Sequence, residues 1–465
     1  MPDRRDDDLD SWLNQRIDPL APPPGTFDLI KRRARRRKYR KLAITAASAA
    51  VIVAAAVTVP QVVNLQVSPS PGAQAAAGQS SAASASTGGG SAAASGAAAV
   101  PSASAPAAPV PADFRPTSVT FVGTNTGWVI GQAGTPGQCA TQYCTSVART
   151  DNAGKTWTGV PAPVTGAANG ATGVSQIRFL NLKDGWAFGP ELFETRDAGH
   201  TWTQVDTNGL RVTDLETVGN RVFAIFASCT GSGADFAADC TSFTLYSAAA
   251  AGGAWTPVGA TTSGLTDGAA SEAASLTLTG SRGFLLAPDG KLYAGPVDGS
   301  GAWQLVNAIS SSCPVGTPQA DGQPSGALLG AVSAKELILG CATASSSGNA
   351  SGAGSQKKLL FSSLNGGGSW IQMAVAPTAG TATSIAASPS VSVVLATDQG
   401  IDLLPAGAVS WQAASLAAAV PAGGFSYVGM TTDQQGVALP ASPAAGAVWF
   451  TFDGGKSWRP SPVKG

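Results

Sequence analysis

From Phe114 onward the apolar positions fall in short runs, alternating or continuous, each bounded by Gly, Asn or Asp. The first stretch reads SVTFVG, GWVIG and SVART, then the octet TDNAGKTW (Thr150 to Trp157), then WTGVP. The second reads QIRFLN, GWAFG and LFETR, then TRDAGHTW (Thr195 to Trp202), then WTQV. Runs of this length and boundary chemistry predict β-strands rather than helices. The octet returns as SLNGGGSW (Ser363 to Trp370) and TFDGGKSW (Thr451 to Trp458).

Seven of the eleven tryptophans close a turn-like phrase: Trp157, Trp202, Trp255, Trp303, Trp370, Trp411 and Trp458. Three phrases have lost most polar turn residues yet keep the indole: AAAAGGAW, PVDGSGAW and LPAGAVSW. A turn can be built in several ways, but a large apolar plug is harder to replace. Four predicted strands per unit, about 50 residues per unit and seven units predict an all-β, seven-bladed β-propeller with four-stranded blades.

The octet is expected to be the hairpin between the third and fourth strands of a blade. Asn152, Asp197, Asn365 and Asp453 share its third position, where a short side-chain oxygen can accept backbone N–H groups. Gly154, Gly199, Gly367 and Gly455 stand two residues on, where a positive φ is expected. The Thr or Ser before each Trp can bond back across the turn, and Trp157, Trp202, Trp370 and Trp458 then enter the blade stack.

This octet resembles the Asp-box, S/T-x-D-x-G-x-T/S-W, of BNR-repeat propellers. With GWVIG and GWAFG ahead of it, the body is similar to the propellers of the photosystem II assembly-factor family and to sialidase-type propellers. The resemblance covers about 350 residues and implies a fold rather than a function. In those families the Asp-box is a structural turn remote from the ligand face. His200, the single histidine, then reads as a solvated turn residue where sister copies carry Lys155 and Lys456.

Ahead of the repeats, Leu42 to Val63 is an uncharged 22-residue run, long enough for a transmembrane helix. KRRARRRKYRK abuts its N-terminal end and predicts a cytoplasmic N-terminus, with residues 64 onward extracytoplasmic at the cell membrane. Residues 66–112 are nearly all Ala, Ser, Gly and Pro, a composition that predicts a disordered linker with a reach of roughly 40 Å. The expected organisation is a cytoplasmic tail (1–41), a transmembrane helix (42–63), a linker (64–113) and the propeller (114–465).

Charge and cysteine content narrow the function. The first 41 residues hold 12 of the 28 Lys and Arg but only 7 of the 28 Asp and Glu, so the body is slightly acidic. A body without a basic patch is not a nucleic-acid binder. All six cysteines lie on the extracytoplasmic side, so disulfides are expected, with Cys139–Cys144, Cys229–Cys240 and Cys313–Cys341 as the pairs. Each falls in a connection between second and third strands or between blades, which in a propeller share one face; the octets emerge on the other. CxxC spacing is absent, and no metal or cofactor is expected.

Long insertions also collect on the cysteine face, which makes it the candidate recognition surface. A sialidase-like site would need an arginine cluster, a Tyr–Glu nucleophile pair and an acid. After Asp113 there are eight arginines and four tyrosines, and Arg149, Arg196 and Arg459 flank octets. The expected function is therefore non-catalytic binding of a protein or cell-envelope glycan by a membrane-tethered propeller. The alternatives are a transmembrane sensor and a sialidase-like glycoside hydrolase.

Overall fold

The computed structural model describes residues 108–134, 144–230, 240–262, 274–309, 313, 327–342, 357–390 and 392–465. The expected cytoplasmic tail, the Leu42–Val63 run and nearly all of the linker lie outside them. Among the described residues there is no α-helix, and none long and apolar enough to cross a membrane.

The described strands form seven sheets; each holds four antiparallel strands consecutive in the chain, and one of the seven adds a fifth at its edge. Blade 1 comprises Arg115–Phe121, Gly127–Ala133, Cys144–Thr150 and Thr158–Val160. Blade 2 runs from Gln176 to Gln204, blade 3 from Arg211 to Thr262 and blade 4 from Ser275 to Ala308. Blade 5 runs from Ala327 to Gln372, blade 6 from Ala382 to Ala413 and blade 7 from Phe425 to Pro462. The expectation of seven four-stranded blades is met.

No blade has a private core. The buried side chains divide into seven clusters, and each joins two consecutive blades. Trp128, Ile130 and Val147 of blade 1 meet Ile177, Phe179 and Ala187 of blade 2. Clusters between blades 2 and 3, 3 and 4, 4 and 5, 5 and 6, and 6 and 7 follow in order. The last joins Val437, Val448 and Phe450 of blade 7 to Val119, Val129 and Ala148 of blade 1, which closes the ring. A four-stranded sheet has two apolar faces to cover, and radial stacking covers both.

Each of the seven repeating tryptophans belongs to the cluster between its own blade and the preceding one. Trp157, Trp303 and Trp458 are buried, whereas Trp202, Trp255, Trp370 and Trp411 keep a partly exposed edge. The indole N–H groups tie the same seams. Trp157 Nε1 donates to Ser461 Oγ of blade 7 (3.2 Å), and Trp202 Nε1 donates to Pro161 O, just past blade 1 (3.1 Å).

The seam between blades 7 and 1 needs no strand exchange, because blade 7 owns all four of its strands. Two short segments cover the outer edges of blades 7 and 1. Ser415–Leu416 pairs parallel with Ser457–Trp458, adding a fifth strand to blade 7. Ala108 bridges to Gly159 beside the outer strand of blade 1, and Val110 is buried in the seam cluster. Ala108 and Val110, which fall in the expected linker, thus pack against the body. Val110 and Phe114 supply the apolar contacts that an Ala- and Pro-rich sequence does not advertise.

If the seams hold the ring, the cost of removing an indole follows its burial. Trp458→Ala should lower unfolding free energy by about 3–5 kcal/mol. Trp411→Ala, at a half-exposed position, should cost about 1–2 kcal/mol. Urea titration followed by circular dichroism measures both; equal losses would contradict the assignment.

Candidate functional site

Three features compete for a functional role: the four octets, the cysteine-bearing end and the axial channel. The octets are turns with a common bonding plan. Their first residue, Thr150, Thr195, Ser363 or Thr451, is 1% exposed. Its hydroxyl accepts the amide of Gly154, Gly199, Gly367 or Gly455 at 2.8–2.9 Å. Oδ1 of Asn152, Asp197, Asn365 or Asp453 accepts the amide of the residue before the tryptophan, again at 2.8–2.9 Å.

Asn and Asp are interchangeable at this third position because the neighbouring hydroxyl can reverse its role. Thr201 and Ser457 donate to the second carboxylate oxygens of Asp197 and Asp453 (2.7 and 2.6 Å). With Asn the direction inverts, and the amides of Asn152 and Asn365 donate to Thr156 and Ser369 (2.8 and 3.0 Å). Burial opposes ionisation of Asp197, but the Thr201 hydroxyl and amide and the Thr195 hydroxyl hold it below the usual carboxylate range.

The fifth-position glycines serve two demands at once. Gly154, at φ 75°, sits where a side-chain carbon would overlap the Phe450 ring of blade 7, and Gly367, at φ 91°, meets Leu292 of blade 4 in the same way. The fourth residue hooks the turn to the first hairpin of its own blade, for example Ala153 N to Asn125 O and Ala198 N to Lys183 O (both 2.9 Å). His200 is exposed. All of this is architecture, and no octet presents a reactive pair.

Loss of an octet leaves a trace in the neighbouring blade. Trp128 Nε1 of blade 1 donates to Ala198 O in the octet of blade 2 (3.1 Å). The corresponding Trp186 of blade 2 faces the degenerate turn of blade 3, and its buried Nε1 has no partner. Arg196 donates to Ala250 O there instead and lies 5.2 Å over the Trp186 ring.

The cysteines cluster at the opposite end. Cys229 bonds Cys240 at the mouth of the hairpin between the second and third strands of blade 3, and Cys313 bonds Cys341 at the entry to blade 5. Cys144 is also disulfide-bonded; its expected partner, Cys139, lies outside the described residues. Most of the long insertions at this end lie outside them too. Nearby, Lys358 is 1% exposed and its Nζ donates to Ala379 O and Gly380 O (2.9 and 2.6 Å), fastening blade 5 to the connector before blade 6.

The axial channel is lined by the first strands of the blades. Hydroxyls on these strands stitch neighbour to neighbour: Thr117 Oγ1 to Ser175 O (2.7 Å) and Thr383 Oγ1 to Phe425 O (2.5 Å). Arg178 of blade 2 donates through Nε to Glu216 Oε1 of blade 3 at 3.0 Å. Asp214 of blade 3 accepts the amides of Leu276 and Leu215 at 2.7 and 2.8 Å. Tyr427 of blade 7 lines the same space, a cavity of about 480 Å³ that reaches the connections Val122, Leu180, Gly219 and Thr431 on the octet face.

Burial and the charge of Glu216 push the Asp214 carboxyl up to about 7, only partly offset by Arg178 and the two amides. Burial likewise raises the Tyr427 phenol. Burial works against the Arg178 charge, yet Glu216, Tyr427 and Asp214 keep it firmly protonated. Among the described residues, Arg178 is the one arginine in the linings of the two channel cavities, and Glu216 already engages it. Among the described residues no group of three His, Cys, Asp or Glu side chains is placed to hold a metal.

The sequence located the octets through their third, fifth, seventh and eighth positions but assigned no bonding role to the first hydroxyl, which is buried. The signal was present, since all four copies begin with Thr or Ser. Arg178, Asp214, Glu216 and Tyr427 carried no such signal: they come from three blades and no spacing relates them.

The described body is thus a closed seven-bladed β-propeller with a polar axial channel. No protein-family model matches the chain, and no curated protein matches it. Similar solved structures include YCF48 from Cyanidioschyzon merolae, at 15% identity and TM-score 0.42 over 65% of this chain and 87% of that one. YCF48 bound to D1 peptide is similar at 17% identity and TM-score 0.41, over 65% of this chain and 83% of that one. An α-L-arabinofuranosidase from Fusarium graminearum, in complex with an iminosugar inhibitor, has 11% identity and TM-score 0.38 over 74% of this chain and 96% of that one.

Two outcomes test the site chemistry. Thr195→Val leaves the Gly199 amide buried without its acceptor and should cost about 1–3 kcal/mol, whereas Asp197→Asn should cost under about 1 kcal/mol. Chemical denaturation separates them. Because the folded-state pKa of Asp214 is raised, its contribution is fully present below the ordinary value of 3.8 and is lost as pH rises toward about 7. Asp214→Asn should therefore gain roughly 1–2 kcal/mol relative to wild type between pH 4 and pH 8, with water in the channel moderating the effect. Denaturant midpoints across that range measure it, and a parallel profile for the two proteins would contradict it.

Proposed function

We propose that the protein is a membrane-tethered, extracytoplasmic propeller that binds a protein or cell-envelope glycan without catalysing a reaction on it. The observation that carries this reading is the grouping of disulfide-bonded Cys144, Cys229–Cys240 and Cys313–Cys341 at one end of the ring. Disulfides persist in oxidising compartments, which agrees with placing the body outside the membrane. Bonds at loop roots restrict the loops they anchor, and restricted loops lose less entropy on binding a partner.

The Leu42–Val63 run supplies the tether in this reading, with the basic Lys31–Lys41 segment on the cytoplasmic side. The octet end is stiffened internally by its own turns, so recognition is assigned to the cysteine-bearing end. The absence of catalysis is part of the proposal. Arg178 is neutralised by Glu216, and the Asp214 oxygens are engaged by backbone amides.

Replacing residues 343–356 with a short Gly-Ser turn in the full-length protein tests the assignment. Capture of the native partner, scored by proximity labelling and by glycan-array binding, should fall at least about tenfold while the thermal midpoint stays within a few degrees. Unchanged capture would count against the cysteine-bearing end. A reporter fused to the C-terminus that is active only in the cytoplasm should be silent.

A further inference from the structure

The axial channel contains a charge imbalance that architecture alone does not require. Two cavities of about 480 and 440 Å³ share a wall formed by Arg178, Glu216, Tyr427, Gly429 and Met430. Their linings carry three formally charged side chains: Arg178, Glu216 and Asp214. Two carboxylates face one guanidinium, so ionisation of all three leaves a net charge of −1 inside a narrow channel. Arg178 Nε is committed to Glu216 Oε1 at 3.0 Å. Glu216 Oε2 and the Tyr427 hydroxyl make no hydrogen bond among the described residues, and neither is sealed from the cavity.

Around this polar centre the wall is aliphatic and aromatic. Val119, Phe121, Val218 and Val437 line the octet-side cavity, and Leu276, Leu328 and Ile385 line the adjoining one. Gly330 leaves room in the adjoining cavity, whereas Gly429 yields its side-chain space to the Tyr427 hydroxyl. The combination suits a group that brings one positive charge on an apolar stem. A second carboxylate would meet Glu216 and Asp214 with only an occupied arginine to receive it. A neutral polyol would leave the charge uncompensated.

We propose that the channel binds an aliphatic ammonium group, with the cation held by Glu216 and the Tyr427 hydroxyl, the Asp214 charge adding to its attraction, and the methylene stem against Val119, Phe121 and Met430. This goes beyond the recognition role given to the cysteine-bearing end, and it uses the opposite face of the ring. An ammonium donates three hydrogen bonds and no acceptor is demanded of it. In the restricted solvent of the channel such charge-assisted bonds exceed those between neutral groups. The same chemistry could come from a free aliphatic amine or from a lysine side chain of a partner.

Binding of 1-aminopentane and of the blocked peptide Gly-Gly-Lys-Gly-Gly to the full-length protein tests this, by titration calorimetry at pH 8 and fixed ionic strength. 1-Pentanol and the same peptide with acetylated lysine are the controls. Saturable binding of either amine, with both neutral controls silent, is expected, and the tighter of the two identifies the source. Glu216→Gln should weaken binding by about tenfold or more. Tyr427→Phe, which removes one oxygen and leaves the blade contacts in place, should weaken it by a few-fold. Circular dichroism confirms that both variants fold. Binding by neither amine, equal binding by the neutral controls, or full affinity in a folded Glu216→Gln and Tyr427→Phe pair would overturn the proposal.

Discussion

The constraint on which this molecule depends is that no sheet can bury both of its faces by itself. Each blade offers apolar side chains on two sides, and each side is covered only by a neighbour. Seven clusters lie between blades and none within one, so the ring is stable as a ring or not at all. The repeating tryptophan follows directly. It projects from the end of each octet or its degenerate counterpart into the cluster shared with the preceding blade. The fifth-position glycine is the complement of that contact, since Gly154 yields its side-chain volume to Phe450 across the final seam. In a similar way Gly127 and Gly185 make room for Phe121 and Phe179 of their own blades, beside the fully buried Trp128 and Trp186.

Once the seams set the architecture, the polar groups divide between two tasks. Those in the octets satisfy backbone donors that a tight turn would otherwise leave buried and unpaired. The exchange of Asp for Asn shows that their ionic state is incidental, because a hydroxyl partner can donate or accept. Those in the channel sit on first strands, where seven edges converge and the backbone has neighbours at an angle rather than in register. Hydroxyls, Asp214 and the Arg178–Glu216 pair bridge that gap from blade to blade. The channel therefore owes its polarity to closure, and any ligand chemistry there is built on a structural network.

Legibility in the sequence followed how local the determinant was. Octet, indole and GW dipeptide are contiguous, repeat along the chain and predicted both blade count and strand order. Cys229–Cys240 lies within one hairpin and Cys313–Cys341 within one blade and its entry, so their places in blade connections on one face found them. The role of Thr150 and its counterparts was overlooked because a hydroxyl that ends a strand looks like any other polar residue. The Ser415–Leu416 edge strand depends on the connector between blades 6 and 7 reaching the outer strand of blade 7, and the packing of Val110 depends on segments from opposite ends of the body meeting at the final seam. Arg178, Asp214, Glu216 and Tyr427 are separated in sequence and meet only when the ring closes.

Hydrogen exchange on a variant of the final seam tests the ring constraint most directly. Phe450→Ala weakens the contact between blades 7 and 1 and touches no other blade's strands. If stability resides between blades, protection of first-strand amides should fall together in all seven blades, including Leu276 and Leu329 on the far side of the ring. Loss confined to blades 7 and 1, with blades 3 to 5 protected as in wild type, would contradict the account.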